Sequence, residues 1–525
     1  MHLHLQTTHG PIWHNDLEER LFVRGYGIDQ EGQVFRGVDL LDAFAGIQSE
    51  AGWLRRLKGL DGSFSVIWKQ GETTYVAVDN QRSLPVLYSG ERGEWHLASE
   101  LAFLPGKRDP DPIQWQLFPH ACHTLGIHTL WAGVCQFQAG EWGKIKGNST
   151  RHLSYAAPFQ EAQPAQSDLL QPQKFREQAM NMMDRCLKSI GNQPIVVPLS
   201  GGYDSRFLVA LLKEFGKTEV TCFTYGRSSS FEVETSRKVA RKLGFPWHFV
   251  GYEDDLLRLY LTEKGRAYQR YANNGTSLAH EQDYFAIHEL LKERKISPDS
   301  VLLPGFGADV LAGSWYPQKA PSSWNHLSFV KFLLSNRKFF AGSRRVQLPE
   351  ETQTLMEEGL PAGEEVHDLA SAYQQLQQWG FQNRMSQFLV NAVRVYDFHS
   401  LEWRLPFFDK SWINYWEQVP LEQKIGKQWY LQQLNQGWFE PMGIRFDPSA
   451  PQPQPMKDRL KDLLPSAWID WLKSVLVDRE AVDLNNQDAL SRLICEDQQW
   501  DQKLLRSYDL NYLMAKAFLA RNAYL

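Results

Sequence analysis

The stretch Ile195-Val196-Val197-Pro198-Leu199-Ser200-Gly201-Gly202-Tyr203-Asp204-Ser205-Arg206 constrains this chain more than any other. A short apolar run ends in two glycines, and an amphipathic segment from Phe207 to Phe215 follows. That order reads as a buried strand, a sharp turn and a helix start. Gly201 and Gly202 let the backbone turn tightly and approach a ligand without a Cβ in the way. Free amides at a helix N-terminus make an anion site, and the helix dipole reinforces it. Ser200 and Ser205 add hydroxyl donors. Asp204 repels a bare phosphate but suits a hard cation such as Mg²⁺ that bridges phosphates. The spacing is not that of the Walker loop, which needs Gly-x-x-x-x-Gly-Lys-Ser/Thr. A capped helix behind a Gly-Gly turn is the plainer alternative, and the strand–turn–helix context weighs against it.

The chain has 525 residues, 43% of them hydrophobic, enough for large cores in about three domains or fewer. Its net charge of −5 supplies no basic field for nucleic acid. Five scattered cysteines (Cys122, Cys135, Cys186, Cys222, Cys495) form no Cys-x-x-Cys pair, which argues for reduced thiols and a cytoplasmic setting. The start, Met-His-Leu-His-Leu, has no apolar signal region, and no apolar run approaches the ~20 residues of a membrane span. His2 and His4 alternate on one face of a terminal strand and are not read as metal ligands.

Residues 1–155 read as β-rich, with strands such as Ser63–Trp68 and Thr74–Val78 and turns at Gly71 and Gly90. Residues 156–172, rich in Pro, Gln and Ala, read as a linker. From 173 the pattern turns βα, with strands at 195–199, 220–225, 247–250 and 301–303. Strands alternating with helices predict an α/β fold with a parallel, doubly wound sheet. Ligands then bind beyond the carboxyl ends of the strands. After 325 the chain reads as a helical extension, interrupted by a Pro/Gln-rich loop at Pro448–Pro455.

Two further constellations stand out. Pro304-Gly305-Phe306-Gly307-Ala308-Asp309 again places glycines and an aspartate after a buried strand. Asp309 alone would be a helix cap; paired with Asp204 it would share Mg²⁺ on a nucleotide triphosphate. Leu401-Glu402-Trp403-Arg404-Leu405-Pro406-Phe407-Phe408-Asp409 makes a poor helix. By itself it favours a Glu–Arg network that fixes a buried turn.

In this order the three segments resemble the asparagine synthetase family of ATP-pyrophosphatases. That family carries Ser-Gly-Gly-x-Asp-Ser, then Gly-x-Gly-x-Asp-Glu, then Glu-x-Arg-x-Pro-Phe-x-Asp. Leu60–Trp68, the Asp79–Tyr88 stretch, Ala98-Ser99-Glu100 and Thr129–Gly133 resemble parts of its N-terminal glutaminase half. The resemblance implies an Ntn-type αββα domain over 1–155 and an ATP-pyrophosphatase domain over 173–525. It implies ATP and Mg²⁺ as cofactors. Ser200, Gly201, Gly202, Asp204 and Ser205 would bind pyrophosphate and Mg²⁺, Asp309 would be a second metal ligand, and Pro198, Tyr225 and Gly305 would surround adenine and ribose. Glu232 stands where the family has an acidic residue. Glu402 becomes a candidate base or substrate contact. Lys427 matches a family lysine that faces the leaving pyrophosphate, with Lys457 and Arg459 as further candidates, because charge builds there in the transition state.

The departures narrow the reading. The family's glutaminase uses an N-terminal cysteine, whereas His2 follows Met1 here and no cysteine precedes Cys122. The Asn-Gly-Glu substrate loop is also missing, so the N-terminal part reads as a degenerate glutaminase. Phe306 replaces a family carboxylate and cannot take a proton, and Val310 replaces a second one. The expected activity is an AMP-forming amide ligase that adenylates a small-molecule or peptide carboxylate and transfers it to ammonia or an amine. A β-lactam-type or peptide-cyclising synthetase, and a silent nucleotide- or partner-binding relative, stay as alternatives. A tRNA thiolase ranks last, for want of a basic face. Neither nucleic acid nor membrane is an expected partner, and a homodimer is left open.

Overall fold

The computed structural model describes residues 1–91, 93–156, 158–159, 169–315, 369–446, 483 and 485–522. Lys457, Arg459, the Pro448–Pro455 loop and the middle of the expected linker lie outside them.

The first 155 residues build two stacked sheets. The larger runs in the order Ser149–Ser154, Glu141–Lys146, Thr73–Val78, Asp61–Gln70, Leu21–Ile28, Trp13–Asn15, with Val34–Arg36 also on Leu21–Ile28. The smaller runs His2–His4, Glu94–Ala98, Leu87–Glu91, Val134–Gln136. Side-chain alternation along the strands explains the layering. Phe22, Ile67 and Val76 of the larger sheet share a buried cluster with Tyr88 and Leu97 of the smaller one. Their neighbours Leu21, Val23, Val66 and Trp68 point the other way, onto Trp53 and Leu57 of the helix Glu50–Gly59. On the outer face of the smaller sheet, Leu87 and Ala98 share a core with Leu117 and Phe118 of the helix Pro112–Ala121. The result is the αββα stack that the resemblance implied, and its outer core continues without a break into the second half of the chain.

The second half is organised by a five-stranded parallel sheet. Its order is Trp247–Gly251, Val220–Gly226, Ile195–Pro198, Val301–Leu302, Glu402–Trp403. In register, Ile195 pairs with both Val220 and Val301, and Val301 pairs with Glu402. Ile195, Val196 and Val197 are all buried, as a strand covered on both faces must be. The first strand in the chain lies at the centre; the second and third extend the sheet one way and the fourth and fifth the other. Strand order therefore reverses between Ile195–Pro198 and Val301–Leu302, and that crevice is where such a sheet takes its ligand. The helical extension is present, from Leu369–Gly380 to Leu510–Asn522. One element differs from expectation: Glu402–Trp403 is the edge strand of the sheet rather than an isolated turn.

The halves are tied by buried charge. Asp61 accepts from the Lys410 amide at 2.9 Å and faces Arg185 at 3.4 Å, while Arg185 Nε donates to Asp409 at 2.8 Å.

Candidate nucleotide site

The loop after the central strand is closed by its own serines. Ser205 Oγ accepts from the Ser200 amide at 3.1 Å and lies 3.1 Å from the Ser200 hydroxyl. Ser200 Oγ in turn accepts from the Gly202 amide at 3.1 Å. The two hydroxyls thus shape the turn, a role beyond the donor function expected of them. Gly202 is the N-cap of the helix Tyr203–Glu214 and contributes no side chain to it, so the cap position leaves room for an external anion. Gly201 sits in a tight place, since a Cβ there would lie 3.1 Å from the Glu232 backbone and press on it.

Across the crevice, Gly305 ends the neighbouring strand. A Cβ at Gly305 would lie 2.6 Å from Ser205 Cα and 2.7 Å from its nitrogen. The second loop is therefore seated directly on the first. That seating brings the carboxylates together: Asp204 Oδ2 accepts from the Asp309 amide at 3.0 Å, and Asp204 Oδ1 accepts from the Tyr430 hydroxyl at 2.8 Å. Lys427 Nζ stands 3.8 Å from Asp309 Oδ2. Burial first, and the nearby Asp309 charge second, push Asp204 up to about 8. Two carboxylates held this way resist joint ionisation until a cation joins them. Each retains lone pairs for one. No cluster of three or more metal-ligating side chains exists among the described residues. A cation here would complete its shell with water and phosphate oxygens, which is how Mg²⁺ prefers to bind.

The remaining expected residues fall into two groups. Pro198 ends the central strand beside Phe223, and Tyr225 is the last residue but one of the next strand, stacked on Tyr252 at 5.1 Å. Burial and the adjoining Asp283 push the Tyr225 phenol well above its ordinary range. Glu232 packs against Gly201. Phe306 rests edge-on against Phe408, with ring centroids 6.1 Å apart.

Glu402 stands apart from these residues. It pairs with Val301, at the amino ends of the strands, whereas Asp204 and Asp309 follow the carboxyl ends. Its carboxylate holds Arg404 at 2.9 Å and accepts from Gln193 at 3.3 Å. Arg404 is buried and also donates to Ser189 and to the Trp403 carbonyl. These contacts form the Glu–Arg network, at the opposite end of the strands from Asp204 and Asp309.

Two residues had no flag in the sequence. Tyr430 lies in the helix Gln428–Leu434, and Lys427 is its N-cap in a left-handed conformation, so no helical spacing links the two and nothing local marks Tyr430. Arg206 is 1% exposed and donates to the Gly201 carbonyl at 2.8 Å and the Phe446 carbonyl at 3.1 Å. It fixes the loop from behind, and nothing local in the sequence marks it.

Comparison with known proteins gives the family. The family profile described as asparagine synthase matches residues 175–520. A probable glutamine-hydrolysing asparagine synthetase of Acanthamoeba polyphaga mimivirus is 30% identical over 128 residues, which cover 24% of this chain and 22% of that protein. The match thus spans about a fifth of the relative's length. Among solved structures, NH3-dependent NAD synthetase from Campylobacter jejuni matches at a TM-score of 0.21 and 15% identity, over 32% of this chain and 76% of that one. The NMN synthetase of Francisella tularensis matches at 0.21 and 10%, over 44% and 93%. The glutamine phosphoribosylpyrophosphate amidotransferase of B. subtilis matches at 0.19 and 12%, over 46% and 73%. Likenesses this slight do not bear on the fold, which rests on the strand order. The family profile covers well over half of the sequence, and the chain belongs to the asparagine synthase family.

Proposed function

We propose that this chain is an ATP-dependent, AMP-forming carbon–nitrogen ligase. A substrate carboxylate oxygen attacks the α-phosphorus of ATP and pyrophosphate leaves. Ammonia or an amine then adds to the acyl carbon of the adenylate, AMP leaves with the former carboxylate oxygen, and the amine loses its proton. The observation that carries this reading is the pairing of Asp204 and Asp309 at the strand-order reversal, with Lys427 beside them. Asp204 and Asp309 would hold Mg²⁺, which neutralises the phosphates and steadies the leaving pyrophosphate. Lys427 adds positive charge where that charge builds. Gly305 and Gly201 let the two loops close on the triphosphate.

The nucleophile's source follows from what flanks the site. Phe306 offers no proton acceptor, which suits an amine that arrives neutral. The thiols of Cys122, Cys186 and Cys222 are pushed up to about 12 by burial, which silences them as nucleophiles. The αββα part over 1–155 is then a packing partner for the synthetase half rather than a source of ammonia. The acceptor is a small-molecule or peptide carboxylate, and the amine is free or carried by a second substrate, as in a cyclising synthetase. All five cysteines are unpaired, in keeping with a reducing, cytoplasmic setting. Among the described residues, no helix is long and apolar enough to cross a membrane.

A second reading, a silent nucleotide-binding relative, is favoured by Phe306 and Val310. Hydroxylamine trapping separates the two. With Mg²⁺-ATP and a panel of carboxylates, the ligase yields a hydroxamate and pyrophosphate together, and Asp204→Ala abolishes both. ATP binding with neither product across the panel favours the silent relative.

A further inference from the structure

A cavity of about 480 Å³ opens between the N-terminal segment 7–14 and the segment 397–404, with Gly25 and Tyr26 of the larger sheet at its back. Its volume is that of a small-ligand pocket. Glu402 lies on its wall, at the amino ends of the parallel strands, so the cavity is at the opposite end of the sheet from Asp204 and Asp309. It is separate from the nucleotide crevice, and no step above uses it.

The side chains around it are unequally engaged. Asp397 is 1% exposed and its oxygens are taken by Trp403 at 2.8 Å, Arg394 at 2.7 Å and the Tyr271 hydroxyl at 3.3 Å. Glu402 is held by Arg404 and Gln193. The acceptors of the cavity are thus already matched. The donors are not. Arg36 uses only Nη2, toward the carbonyls of Lys188 and Ser189. Among the described residues nothing accepts from its Nε or Nη1. The side chains of His9, His14, Thr7 and Ser400 likewise make no hydrogen bond to described residues. Arg36 also stands near the Arg404 cation and the Glu402 carboxylate; burial and the Arg404 charge depress its basicity more than Glu402 raises it. An added anion on the free Nε and Nη1 of Arg36 would offset the Arg404 charge, as Glu402 already does in part. Pro11, Leu84, Leu401 and Trp403 supply an apolar part of the wall.

We infer that this cavity is a second ligand site, for a small organic oxyanion with a short apolar body, a carboxylate or phosphate ester, held by Arg36 with His14. The bound anion would bridge the N-terminal segment to the edge of the parallel sheet.

The test is isothermal titration of the full chain with three ligands of one shape: benzoate, phenyl phosphate and neutral benzamide. The expected result is one-to-one binding of an anion and none of benzamide. Tighter benzoate assigns the carboxylate, and tighter phenyl phosphate assigns the phosphate ester. Arg36→Gln should weaken the anion at least about tenfold, the scale of one lost charge-assisted contact. Arg36 also steadies the 188–189 carbonyls, so Ile12→Trp is the second variant. Ile12 is 59% exposed at the cavity wall, and the larger ring should block entry without touching a buried bond. Mg²⁺-ATP affinity should be unchanged in both. Equal binding of benzoate and benzamide, anion binding unaffected by both variants, or no saturation by either anion would overturn the assignment.

Discussion

Asp204→Asn should make the ligand-free protein more resistant to alkaline pH while abolishing its activity. Asp204 is buried beside a second carboxylate, and its affinity for a proton is raised from 3.8 to about 8. The unfolded chain releases that proton near the lower value and the native state keeps it until the higher one. Between them the native state binds the extra proton, so the stability of the native state falls as pH rises. At 1.36 kcal/mol per unit, moving from about pH 6 to about pH 8 should remove about 2–3 kcal/mol. Asparagine carries no charge to desolvate, and it can keep both contacts. Its oxygen can accept from the Asp309 amide, and its NH₂ can donate to the Tyr430 oxygen in place of the reverse bond. The assay is thermal unfolding of the two proteins across this range. Asp61 is raised to about 7 with the same sign, so the quantity to read is the difference between variant and parent rather than either slope alone. The variant should gain on the parent as pH rises, and added Mg²⁺ should cancel the gain by favouring the charged carboxylate. Parallel pH profiles, or a variant less stable at every pH, would refute this account of the carboxylate pair.

Other consequences can be checked alongside. Gly305→Ala should cost about 1–3 kcal/mol and weaken ATP binding, because the new methyl meets the Ser205 backbone rather than a side chain that can swing away. Tyr430→Phe removes a donor to Asp204, which is neutral in the ligand-free protein near pH 7; it should cost about 0.5–1.5 kcal/mol there and move the Mg²⁺ dependence of turnover to higher pH. Glu402→Gln should leave kcat/KM for ATP within about twofold, since the residue is at the far end of the sheet; a large loss there would reinstate it as a contact. Asp61→Asn should flatten part of the alkaline stability loss without affecting nucleotide binding.

The nucleotide loop was legible because its parts are neighbours in the chain. Strand, glycine turn and helix start lie within a dozen residues, and each is marked by composition. The same holds for Gly305 to Asp309. Placing the two loops side by side needed only the rule that parallel strands present their carboxyl ends to one crevice. What the sequence withheld depends on register and on distant contacts. Whether Glu402 joins the crevice turns on its pairing with Val301, and a two-residue strand leaves no periodicity to reveal that. Motif resemblance put Glu402 near the chemistry, while the plain reading of a Glu–Arg network was the better guide. Tyr430 meets Asp204 across 226 positions, and Arg206 reaches the Phe446 carbonyl across 240. Such partners are fixed by tertiary packing, which no local pattern records.

The most direct test of the ligase reading is phosphorus NMR of the products formed from Mg²⁺-ATP and an accepted carboxylate. AMP and pyrophosphate in equal amounts, absent in Asp309→Asn, are the predicted result. ADP and inorganic phosphate would place cleavage at the wrong phosphate and contradict the role assigned to the Asp204–Asp309 site.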